Sequence, residues 1–139
     1  MLSAIKHKLR SLQSRNKAIA DSRHWKDHPA LQTCLQTLRG SCTLAPMELH
    51  EAAITVVNIA LAENTWVPAV EIPVDFLSQR VYILWNDPLL PVFSAERDMV
   101  TANLDIVTAV ASDTYFVSQT LDRVIHFGNG NIRIYSVSP

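Results

Sequence analysis

Residues 123–137, R-V-I-H-F-G-N-G-N-I-R-I-Y-S-V, set two alternating apolar runs around Asn129-Gly130. That pair suits a two-residue type I′ hairpin, because both central positions of the turn need positive φ. Placing the turn there fixes the register. Phe127 opposes Ile132 and Ile125 opposes Ile134 on one face, while Val124 opposes Tyr135 and His126 opposes Arg133 on the other. Turn and pattern agree, and a slip of one residue would send every apolar side chain to the wrong face. Upstream, Thr114–Ser118 supplies a third antiparallel strand through a turn at Thr120-Leu121-Asp122, so the chain ends in a meander.

Further back, Trp66–Ile72 and Arg80–Trp85 are β-branched and aromatic runs, and Pro68 places the first at an edge or a bulge. Asn86-Asp87-Pro88 is a turn. Leu90–Phe93 reads as a short strand, Ser94 as the N-cap of a helix over residues 95–103, and Ile106–Val110 as another strand. Before residue 65 the period is helical. Leu2, Ile5, Leu9, Leu12 and Ile19 mark a basic amphipathic helix over residues 3–20. His28-Pro29 opens a second helix whose stripe is Leu31, Cys34, Leu35 and Leu38, with Gly40 as its stop. A third runs from Ala45-Pro46 to Glu63-Asn64. Leu49, Ala53, Val56, Val57, Ile59 and Leu61 make it apolar nearly all round, which predicts a central place against the sheet. The expected architecture is one α+β domain over residues 1–139. Its helical part, 1–64, packs on a mainly antiparallel sheet from 65–139 that ends in the C-terminal hairpin.

At 139 residues, 48% hydrophobic and 18% charged, the chain has the composition of a globular domain. Cys34 and Cys42 are its two cysteines, read as reduced thiols of a cytoplasmic protein rather than a disulfide framework. No apolar run approaches the length of a membrane span. Met1–Ala20 carries Lys, Arg and Ser without an acid, as organelle transit peptides do, but is taken as a helix of the mature fold. Charge is divided unequally. Residues 1–40 hold eight Lys/Arg against Asp21 and Asp27, a net of +6, whereas residues 41–139 hold four Arg against eleven carboxylates, a net of −7. Such asymmetry points to a charged partner or to mutual packing of the two parts.

No constellation for catalysis, a cofactor or a metal stands out. His24 and His28 have the i, i+4 spacing of zinc ligands, but Pro29 takes His28 out of a continuous helix and no third ligand is nearby. There is no G-x-S-x-G, and Gly128 and Gly130 belong to a hairpin rather than to a phosphate loop. Trp66 and Trp85 sit in strands, where core packing is the default, and His126 reads as a half-exposed strand residue. The acids of the strand-rich part are the candidate partner-binding residues: Glu71, Asp75, Asp87, Glu96, Asp98, Asp105, Asp113 and Asp122. Gathered on one face they would attract a basic protein. The alternative is an adaptor that lays its basic N-terminal helix on nucleic acid or an anionic membrane.

Two stretches resemble known families. L-L-P-V-F-S-A-E-R-D-M, residues 89–99, is similar to a strand-to-helix segment in the amino-terminal domain of bacterial enhanced-serine-sensitivity proteins. T-Y-F-V-S-Q-T-L-D-R-V-I-H-F-G-N-G-N-I-R-I, residues 114–134, resembles the final meander of small bacterial immunity proteins of contact-dependent inhibition and related polymorphic toxin systems. The second resemblance implies a cytoplasmic, non-enzymatic protein that binds a cognate toxin domain, often a nuclease, and occludes its active surface. It implies no cofactor and no small-molecule substrate.

Overall fold

The computed structural model describes residues 18–19, 24–63, 65–72 and 76–136. The fold is α+β, with helices packed on a seven-stranded antiparallel sheet. In chain order the strands are β1 Thr43–Leu44, β2 Val67–Ala69, β3 Arg80–Trp85, β4 Phe93–Glu96, β5 Asp113–Ser118, β6 Arg123–Gly128 and β7 Asn131–Ser136. They lie side by side as β1-β4-β3-β5-β6-β7-β2. Four α-helices fall among the described residues: α1 Pro29–Leu38, α2 Met47–Ala62, α3 Arg97–Ala102 and α4 Leu104–Thr108. A 3-10 turn at Trp25–Asp27 precedes α1. The basic helix expected over residues 3–20 lies outside the described residues, apart from Ala18 and Ile19, which are helical.

The C-terminal hairpin has the register read from its turn: Val124↔Tyr135, Ile125↔Ile134, His126↔Arg133 and Phe127↔Ile132. Asn129 and Gly130 both have positive φ, 54° and 76°, as a type I′ turn requires. Strand β5 pairs with β6 on one side and β3 on the other, completing the meander. Pro68 sits in a three-residue edge strand, where its missing N–H costs no ladder bond.

Both faces of the sheet are covered. On one, Val81, Ile83, Phe93, Phe116 and Ile125 meet Leu31 and Leu38 of α1, Val100 of α3 and Val107 of α4. Trp85 donates its indole N–H to the Val107 carbonyl at 3.0 Å and pins α4 to this face. On the other, Tyr82, Leu84, Tyr115, Val117, Val124 and Tyr135 pack under Ala53, Val56, Val57 and Ala60 of α2. The expected helical half is therefore divided, with α1 and α2 on opposite sides. That division explains why β3 and β5 are buried almost continuously rather than in alternation.

Three local expectations are corrected. Ser94 does not cap a helix. It lies buried within β4, which runs Phe93–Glu96 because Phe93 and Ala95 alternate into the core, and its hydroxyl accepts from Arg80 Nε at 3.2 Å. Residues 106–110, expected as a strand, belong mainly to α4. Val107 and Val110 bury at helical spacing, and Thr108 Oγ1 donates to the Leu104 carbonyl four residues back. The run Trp66–Ile72 shortens to Val67–Ala69, the three residues that pair with β7. Helix α1 starts as expected. His28 is its N-cap, with Nδ1 accepting from the Leu31 N–H at 3.1 Å and Pro29 in the first turn. It ends in a left-handed pair, Arg39 and Gly40.

Candidate functional site

Helix α2 carries more apolar surface than the sheet covers. Ala53, Val56, Val57 and Ala60 face the sheet. A second stripe, His50, Ile54, Val57, Asn58 and Leu61, lies roughly a quarter-turn further round the helix and lines a cleft of about 300 Å³. The opposite wall is the β3–β4 connection, residues 86–92, with Pro88, Leu90, Pro91 and Val92 supplying most of its apolar surface. Tyr115 and Leu84 form part of the floor, and Ile19 also borders the space. Leu61 is 47% exposed; Leu89, between Pro88 and Leu90 but outside the cleft lining, is 49% exposed. Asp87 shapes that wall by accepting a hydrogen bond from the Leu89 N–H at 2.9 Å, and the Asp87 carbonyl accepts from the Leu90 N–H.

His50 is the polar group of the α2 stripe with the least contact with water, 1% exposed, and its Nε2 has no hydrogen-bond partner. Burial lowers its pKa below the ordinary histidine value, opposed by a hydrogen bond to the Ala45 backbone. Burial thus favours the neutral ring, and Nε2 is left without a partner in a residue that lines the cleft.

Behind the cleft floor lies a polar network. Asn86 Nδ2 donates to Asp113 Oδ2 at 3.0 Å, and Asn86 Oδ1 accepts from the Asp113 N–H at 3.1 Å. Asp113 Oδ1 meets His126 Nε2 at 2.7 Å, and Arg133 Nε donates to His126 Nδ1 at 2.8 Å. A guanidinium is donor only, so Nδ1 is the acceptor and Nε2 carries the proton given to Asp113. Tyr115 stacks on the His126 ring at 4.7 Å, and the Arg133 guanidinium lies 4.3 Å over Trp66. Trp66 in turn donates to the Ala60 carbonyl at 2.7 Å, tying the network to the end of α2. Gly128 makes room for the pair, since a Cβ there would meet Asp113 Oδ1 at 2.5 Å and the His126 ring at 2.9 Å. Both imidazole nitrogens are engaged, so the network braces the β5–β6–β7 end of the cleft rather than offering a free base. Burial, followed by the nearby Asp113 charge, raises the Tyr115 pKa.

The acidic residues do not gather. Register places Asp113 beside Gly128 and, with Asp87, at the end of the sheet that carries the Asn129-Gly130 turn. Glu71, just past β2, is exposed towards that same end. Glu96 pairs with Arg80 at the opposite end, near Asp98 and Asp122, roughly 17 Å away along six-residue strands. There Asp98 is 3.2 Å from Arg97 Nε. Asp122 accepts from Ser118 Oγ at 3.0 Å and from Thr120, bonds that hold its carboxyl below the usual range and close the β5–β6 turn. Asp105 is exposed on α4, across the sheet from α2. Asp75 lies outside the described residues. The acids that are placed therefore lie at both ends of the sheet and on α4 rather than on one face; Asp87, Asp98, Asp113 and Asp122 are engaged in local bonds, and arginines are interspersed among them.

Cys34 and Cys42 are buried, unpaired thiols, and burial pushes them up to about 11 and about 12, a range in which the reactive thiolate is scarce at neutral pH. Among the described residues no group of three His, Cys, Asp or Glu is placed to hold a metal ion, and no helix is long and apolar enough to cross a membrane. The chain matches no protein-family model, and no curated protein matches it.

Proposed function

We propose that this chain is a non-enzymatic binding module, a cytoplasmic immunity protein that neutralises a cognate toxin domain by covering it, and that the covering surface is the side bearing the α2 cleft. The observation that carries the reading is the second apolar stripe of α2. Ile54, Val57 and Leu61 line an open cleft, Leu61 about half exposed at its wall, and Leu89 on the neighbouring connection is about half exposed beside it. Aliphatic side chains left wet around a concavity favour a partner that removes them from water, at roughly 25 cal/mol per Å² covered. Apolar contact, rather than attraction of a basic partner, becomes the mechanism, because the carboxylates are dispersed. The reading in which a basic helix meets nucleic acid or anionic lipid rests on residues outside the described ones.

Co-expression with toxin domains encoded beside its gene provides the test. Protection of growth, together with a stoichiometric complex whose affinity changes little between low and high salt, is the expected result. A chain that neither binds nor protects against any such domain would overturn the proposal.

A further inference from the structure

The occupant of the cleft can be characterised chemically, on the reading that the cleft is the binding surface. We infer that the cleft receives an anchor side chain of the partner protein, a flat apolar group of about indole size tipped with one hydrogen-bond donor, and that the donor is accepted by Nε2 of His50.

Four observations converge on this. Nε2 of His50 is buried and has no partner, and His50 is one of the residues lining the cleft. A buried polar atom left unpaired is costly, so a group that supplies its missing bond gains more than a group that merely fills space. The volume, about 300 Å³, accommodates one large side chain rather than an extended ligand. The lining is mainly apolar, and Asp87 is its one ionised residue among those described, with no Lys or Arg. An anion would find no counter-charge there, whereas an N–H or O–H donor is matched. Finally, Leu61 at the cleft wall and Leu89 on the connection beside it, outside the lining, remain about half exposed. A free molecule filling the cleft would leave their outer surfaces wet, while a protein surface carrying the anchor would cover them, in the manner of a buried aromatic hot spot ringed by apolar contact.

The test uses the full chain and two isosteric fragments, indole and benzofuran, which differ in the N–H. Each is titrated into isotope-labelled protein while the His50 ring nitrogens and the Ile54, Asn58 and Leu61 signals are followed by NMR. Indole is expected to saturate, to perturb those residues and the Nε2 resonance, and to bind about tenfold more tightly than benzofuran. The preference should vanish in His50→Phe. Equal affinity of the two fragments, no binding of either, or perturbations confined to another surface would overturn the inference. Its fate is separable from that of the wider reading. If Leu61→Asp/Leu89→Asp abolishes toxin protection while His50→Phe leaves it intact and the fragments bind equally, the docking surface stands and the donor-tipped anchor falls.

Discussion

The two faces of the sheet use the same strands and bury them differently. On the α1–α3–α4 face, Ile83, Phe116 and Ile125 have no exposure, and the Trp85 indole is satisfied within the core. On the α2 face the strands present Tyr82, Tyr115, His126, Arg133 and Tyr135 as well as aliphatics, a polar network runs under the helix, and a cleft remains open. Alternation along one strand writes both faces at once, so a dry core can be built without constraining what its reverse side does. The first face supplies rigidity. The second is free to carry recognition, and the Asn86–Asp113–His126–Arg133 chain holds its floor in one geometry.

Substitutions should separate the two faces by size of effect. Phe116→Ala removes a fully buried ring from the dry face and is expected to cost about 3–5 kcal/mol in denaturant unfolding. If it costs no more than a change on the α2 face, the distinction fails. Gly128→Ala intrudes on the Asp113–His126 pair and should cost about 1–3 kcal/mol, with loss of the distinctive His126 ring signals. An unchanged His126 spectrum would show that the close approach is relieved elsewhere.

A pH effect sharpens the comparison further. The folded-state pKa of His50 is lowered from 6.5, so the unfolded chain binds its proton first on acidification. Its contribution to stability is present above about 6.5 and is lost as pH falls from there towards the folded value. In His50→Phe the slope of stability against pH below 6.5 should flatten, which denaturant titrations at stepped pH would detect. Smallest of all is Leu61→Asp. The side chain is already about half in water, and unfolding free energy should move by about 0.5 kcal/mol or less. A large loss would mean that the cleft wall is structural rather than a surface kept for a partner.

How much of this was legible beforehand depends on whether the signal is local. The hairpin register was, because Asn129-Gly130 and the flanking alternation are read within fifteen residues. So was the start of α1, where His28 and Pro29 act on their own turn. Residues 104–110 misled because Ile106, Val107 and Val110 suit either period, and helix wins through contacts with α1 and Trp85 far along the chain. The near-continuous apolarity of α2 was visible and correctly placed it on the sheet. Its second stripe could not be told apart, since the wall it faces lies some thirty residues downstream. Nor could His50 be singled out. Its burial and its unpaired nitrogen arise from tertiary packing, with no motif to announce them. Net charge carries no information about where strands end, so the placement of the acids at both ends of the sheet and on α4 was not legible either.

Growth protection by paired variants tests the central claim most directly. Wild-type chain, Leu61→Asp/Leu89→Asp, and Glu96→Gln/Asp98→Asn/Asp122→Asn would each be co-expressed with a toxin domain encoded beside the gene against which the wild type proves protective, with folding checked by thermal melts. The cleft account predicts that the leucine pair abolishes protection while remaining folded, and that the carboxylate triple variant protects as well as the wild type. Full protection by the leucine pair, with loss in the folded carboxylate variant, would contradict it.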